Sequence, residues 1–99
     1  MINHIVLFKL KDYPAEEKST LLGEFKTKLL ALKASIPELK YIEVGENYEL
    51  DAKSYDLALI THFESVADLD VYRVHPEHMK VVKWAGEVTE ARAAVDFVF

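Results

Sequence analysis

Tyr72, His75 and His78 stand within seven residues of one another, with Pro76 between the two histidines. An imidazole can take up or release a proton near neutral pH, and a phenol can donate a hydrogen bond to a developing oxyanion. Together these groups suit the removal of a proton from a carbon acid and the steadying of the charge left behind. Pro76 breaks the chain between the histidines, so a rigid turn sets their placement. A third histidine, His4, lies near the start of the chain, and a fourth, His62, precedes Phe63.

The elements that must position these residues follow from the hydrophobic pattern. Residues 2–10 are β-branched and aromatic and read as a strand. Asp12-Tyr13-Pro14 opens a helix, with Asp12 or Tyr13 near the cap and Glu16 and Glu17 in the first turn, where the helix dipole favours acids. Leu22, Phe25, Leu29, Leu32 and Ile36 step by three and four and make one apolar stripe that ends at Pro37. Residues 40–45 read as a short strand, 46–54 as a polar loop, and 56–63 as a third strand. Ser65-Val66-Ala67-Asp68 is a capping box with Asp in place of Glu, opening a helix to about Tyr72. Pro76 opens another helix to about residue 92, and residues 94–99 form a last strand. The order β-α-β-β-α-β, with the second helix broken at His75-Pro76, is a ferredoxin-like α+β pattern with a four-stranded antiparallel sheet. Right-handed crossovers place the helices on one face of that sheet.

The strands are apolar on both faces. Val6 and Phe8 oppose Ile5 and Leu7. Leu57, Leu59 and Phe63 oppose Ala58 and Ile60. Val95, Phe97 and Phe99 oppose Ala94 and Val98. A strand with one wet face alternates apolar with polar, so both faces are expected to be covered. A chain of 99 residues with so few helices cannot do this alone. A twofold homodimer joined through the open sheet face is the economical solution, burying about 1,600 Å² or more. His62 shares the Ala58 and Ile60 face and is expected at or near that interface.

Composition narrows the function. The 99 residues make one domain, and an apolar fraction of 51% is ample for a core. A formal charge of −5, with the 12 basic residues scattered among acids, argues against nucleic acid. No apolar run approaches the ~20 residues that span a membrane. The opening apolar run, residues 5–8, is too short for a signal peptide. With no cysteine, neither a disulfide framework nor a thiolate metal site is available, and a cytoplasmic location is expected. His75 and His78 are three apart, but Pro76 breaks the helix that would align them on a metal. There is no HExxH, and no carboxylate-rich loop with glycine at its turn. Neither metal nor cofactor is expected. Glu43, Glu46, Glu49 and Asp51 read as a solvated acidic rim.

Four segments together carry a family likeness. They are His4-Ile5-Val6-Leu7-Phe8-Lys9 at the start, Val44-Gly45-Glu46-Asn47 after the second strand, Phe63-Glu64-Ser65 leading to Leu69, Tyr72 and His75-Pro76-Glu77-His78, and Asp96-Phe97 near the end. With these the chain resembles the stress-responsive dimeric α/β-barrel domain family, often called Dabb, over nearly its whole length. The resemblance implies a ferredoxin-like protomer that pairs into a dimeric α/β barrel. It also implies that His4, Val6 and Phe8 face the helices, and Ile5 and Leu7 the partner sheet. Some plant members of the family are polyketide cyclases. In them a histidine matching His78 is the base of an aldol-type ring closure. A tyrosine matching Tyr72 holds the developing enolate or substrate oxygen, and a histidine matching His4 lies in the same pocket. The plant cyclases tend to carry a further polar residue early in the third strand, where this chain has Leu57.

Each candidate has a structural role beside the functional one. His4 is either a core histidine or the polar handle of a pocket wall. Tyr72 either packs its ring against the sheet or aims its hydroxyl at an oxyanion. His75, at the helix break, is suited to tying off free carbonyls there. His78 lies in the first turn of the next helix, whose N-terminus should lower its pKa and leave a neutral base. A pocket between helices and sheet would be walled by Val6, Phe8, Leu57, Leu59 and His75, with His78, Tyr72 and His4 as its chemical groups. Three functions stay open on these grounds. One is a homodimer that binds a small apolar ligand. Another is a cofactor-free cyclase, isomerase or lyase acting on a polyketide-like carbonyl acid. The third is an interaction module that assembles into larger oligomers through charged outer surfaces.

Overall fold

A computed structural model describes residues 1–49 and 53–99. Its elements run β1 (Ile2–Leu10), α1 (Ala15–Ser35), β2 (Tyr41–Glu46), β3 (Leu57–Phe63), α2 (Val66–Val74), α3 (Pro76–Val88) and β4 (Thr89–Val98). The four strands form one antiparallel sheet in the order β2-β3-β1-β4. The α+β, ferredoxin-like architecture expected from the sequence is present. Asp51 lies outside the described residues, while Glu43, Glu46 and Glu49 are exposed.

Local chemistry sets most boundaries. Pro14 occupies the cap of α1 itself, just before the first helical residue. The predicted α1 stripe is buried throughout, from Leu22 to Ile36. Ser65 Oγ accepts from the Asp68 amide at 3.2 Å, so the serine does cap and open α2. Asp56 is almost wholly buried, and its Oδ2 accepts from the Leu10 amide at 2.8 Å. It fastens the end of β1 to the start of β3.

The last boundary differs from the sequence reading. Helix α3 stops at Val88, and β4 begins at Thr89 rather than at residue 94. Residues 90–94 are Glu-Ala-Arg-Ala-Ala, good helix formers in isolation. They are strand because β1 has a free edge to satisfy. Thr89 pairs with Leu10, Ala91 with Lys9 and Arg92 with Phe8. Thr89 Oγ1 donates to the Ala85 carbonyl at 2.8 Å and closes the helix.

Register assigns the two faces. His4, Val6, Phe8 and Leu10 are buried under the helices, together with Leu57, Leu59, Thr61 and Phe63 of β3. The other face carries no helix. Leu7, Val95, Phe97 and Phe99 stand exposed on it. The His62 ring stacks on Tyr41 at 4.6 Å there, with Phe99 against its other side at 4.6 Å.

Candidate functional site

A cavity of about 440 Å³ lies between the covered sheet face and the helices. Among its walls are His4, Val6, Phe8 and Leu59 from the sheet, Phe25 and Leu29 from α1, and Tyr72 and His78 from α2 and α3. The volume is in the range of small-molecule sites. Strand parity delivers His4, Val6 and Phe8 to one face. The turn at His75-Pro76 delivers Tyr72 and His78 to the same space from two helices.

Tyr72 is fully buried among Phe63, His4 and His78, with ring centroids 5.0, 6.3 and 4.1 Å away. Its hydroxyl is buried and has no hydrogen-bond partner among the described groups. Burial pushes the phenol well above its ordinary range, and the positive charge of Arg92 opposes this only in part. At neutral pH Tyr72 is therefore a donor with a free O–H. The Nδ1–H of His78 donates to the Arg73 carbonyl at 3.1 Å, which leaves Nε2 as the acceptor. Its pKa is lowered, first by burial and further by the nearby charges of His4, Arg92 and His75, against the raising effect of that backbone bond. The direction matches the sequence reading, but the leading cause is desolvation rather than the helix terminus.

His4 is held by a residue not singled out as a site from the sequence. Its Nδ1–H donates to Oδ1 of Asp96, directly across from it on β4. The second carboxylate oxygen of Asp96 takes Arg73 Nη2 at 3.0 Å, and Arg73 Nη1 also reaches Asp70 at 3.2 Å. Asp96 thus orients the His4 ring and turns its Nε2 away from β4. The signal was present, since Asp96 and His4 both lie at even positions of paired strands. Using it required the β1–β4 register. Arg92 also lines the cavity. It was missed because residues up to 92 read as helix.

Two expected wall residues are elsewhere. Leu57 is buried in the core at the start of β3 opposite Phe8, and is not among the residues that line the cavity, to which β3 contributes Leu59. His75 does not reach it either. Its ring Nδ1 accepts from the Glu77 amide at 3.1 Å and caps α3. The expected role was the reverse, an imidazole N–H tying off carbonyls. The backbone N–H of His75 does that instead, donating to the Tyr72 carbonyl at 3.2 Å. No group of three or more His, Asp or Glu side chains that could hold a metal ion occurs among the described residues. Nor is any helix among them long and apolar enough to cross a membrane.

Residues 2–99 match the family described as the Stress responsive A/B Barrel Domain. The chain belongs to this family. An Arabidopsis thaliana relative, stress-response A/B barrel domain-containing protein DABB1, is 25% identical over 99% of this chain and 47% of its own length. The chain thus spans less than half of the curated relatives it matches. A dimeric protein of unknown function with a ferredoxin-like fold, from Bacteroides fragilis, is 40% identical. It superposes with a TM-score of 0.90, covering 99% of this chain and 95% of that one. A hydroxynitrile lyase from Passiflora edulis shares the fold, with a TM-score of 0.81 at 19% identity, covering 99% of this chain and 92% of that one.

Proposed function

We propose that this Dabb chain is a cytoplasmic homodimer. It binds a small, largely apolar carbonyl compound in the cavity and moves a proton there without a cofactor. The observation that carries this reading is the convergence of a lowered-pKa imidazole, an unpartnered phenol and a carboxylate-held histidine on one cavity. Nε2 of His78 takes the proton α to the carbonyl. The Tyr72 hydroxyl donates to the oxygen as negative charge gathers on it. Burial makes both assignments consistent, because it favours a neutral base and a protonated donor at the same pH. Nε2 of His4, steadied by Asp96, is the second polar contact to the substrate. Aldol-type cyclisation and the isomerisation of a carbonyl compound both begin with such a step. The exposed apolar sheet face supports the homodimer, as does the dimeric state of the Bacteroides fragilis protein.

The test is deuterium exchange α to the carbonyl in D₂O, followed by NMR over a panel of apolar keto acids. The wild-type protein is expected to accelerate exchange on one or more of them. His78→Ala should reduce the acceleration by about 10²-fold or more. Saturable binding without exchange would instead leave the chain a ligand-binding homodimer, the reading in which its histidines are structural.

A further inference from the structure

Three charged side chains line the cavity, and two of them are spent on each other. Asp96 is engaged by both His4 and Arg73, and Arg73 divides its guanidinium between Asp96 and Asp70. Arg92 is different. Among the described residues it has no carboxylate within ion-pair distance, and its guanidinium carbon lies 5.9 Å from the centre of the Phe8 ring. Phe8 is itself a wall of the cavity. A chain with a formal charge of −5 offers many acids that could neutralise this arginine, yet it stands unmatched at the one cavity that holds the reactive side chains.

Register fixes where this charge lies relative to the chemistry. Arg92 sits opposite Phe8 on β1, and Asp96 sits opposite His4. The two β4 residues face the same side and are about 13 Å apart at Cα, from a rise of about 3.3 Å per residue. His4 and Asp96 mark one end of this stretch of sheet and Phe8 and Arg92 the other, and the charge of Arg92 still reaches Tyr72 and His78. Apolar residues of α1 and α3, Leu29, Val81 and Val82, lie along the walls. A guanidinium fork matches a carboxylate with two parallel hydrogen bonds.

We infer that Arg92 is the carboxylate anchor of the cavity. Its ligands are then apolar acids that carry a reactive carbonyl besides the carboxylate. The carboxylate on Arg92 fixes the register of the chain and presents the carbonyl to Tyr72 and His78. This assignment of substrate class rests on the proton-transfer reading above and makes Arg92 a binding residue for it.

Binding can be measured apart from turnover. Isothermal titration calorimetry of the full chain with octanoate and with 1-octanol, equal in chain length, isolates the carboxylate. The wild-type protein is expected to prefer octanoate by about tenfold, the usual worth of a hydrogen bond to a charged group. Arg92→Leu should bring that ratio to about one, and Arg92→Lys should keep part of it, which separates loss of the anchor from loss of the fold. Equal binding of acid and alcohol by the wild type would overturn the anchor while leaving the ligand pocket standing. A preference that survives Arg92→Leu would overturn it in favour of Arg73. Octyl phosphate binding more tightly than octanoate would overturn the carboxylate class. Failure of every probe to bind would remove both the anchor and the apolar ligand on which it rests.

Discussion

Replacing Tyr72 by phenylalanine should make this protein more stable and less active. The hydroxyl is buried with no hydrogen-bond partner among the described groups, in a ring that is itself fully buried. A polar group left unsatisfied in an interior costs about 1–3 kcal/mol. Phenylalanine keeps the ring and its contacts with Phe63 and His78, and removes only that cost. For a domain of this size each kcal/mol moves Tm by about 4–8 °C. Thermal unfolding of Tyr72→Phe, at a fixed protein concentration because self-association couples concentration to Tm, should therefore show a rise of about 4 °C or more. Alkaline pH gives a second reading. Burial raises the folded pKa of Tyr72, whereas in the unfolded chain a tyrosine ionises near pH 10. The stability that Tyr72 retains is intact below about pH 10 and is lost above it, by at most about 1.4 kcal/mol per pH unit. The advantage of Tyr72→Phe should accordingly widen above pH 10. Proton exchange on the substrate should meanwhile fall by about 10²-fold or more, as when an oxyanion donor is removed. A Tyr72→Phe protein that is less stable than wild type at pH 7 would refute the reasoning, because it would mean that the hydroxyl is satisfied and not held in reserve.

Three further outcomes are expected. Burial lowers the folded pKa of His78 below the ordinary histidine value, so the unfolded chain takes up that proton first as pH falls. The stability it leaves intact above about pH 6.5 is lost below it, and His78→Gln should flatten the fall of the urea midpoint between pH 7.5 and 5.5. Asp56→Ala leaves the buried Leu10 amide without its acceptor and should cost about 1–3 kcal/mol in urea denaturation. If the proposed homodimer forms through the open apolar face of the sheet, the wild type is expected to scatter as a dimer and Phe97→Glu, which places a charge on that face, as a monomer.

Much of the fold could be read from periodicity. The α1 stripe, the serine cap of α2 and the β-branched, apolar runs of β1 and β3 are local patterns, and each element formed where its pattern lay. The end of α3 was not legible in this way. Glu90 to Ala94 has helical propensity, and only the free edge of β1 makes it a strand. That one boundary hid Arg92, which a helix would have carried to some other face. Asp96 was visible as part of the family likeness, but its hold on His4 depends on which residues of β1 and β4 stand opposite each other. Leu57 and His75 were expected at the cavity for sound local reasons. Leu57 is apolar and on the covered face, yet from β3 it is Leu59 and not Leu57 that lines the space. His75 is near the chemistry in sequence, yet its ring is taken by the Glu77 amide.

The sequence by itself determined the order of the elements and the doubly apolar sheet, and it marked Tyr72, His78 and His4 as titratable side chains. Those properties depend on side-chain type and on spacings of two, three and four residues, which the backbone geometry of strands and helices converts directly into faces. Tertiary structure decided the rest. It set the strand register that joins Asp96 to His4, the depth of burial that moves the Tyr72 and His78 pKa values in opposite directions, and the position of an unmatched arginine at the cavity wall. Each of these depends on residues far apart in the chain, and no local pattern encodes the distance between them.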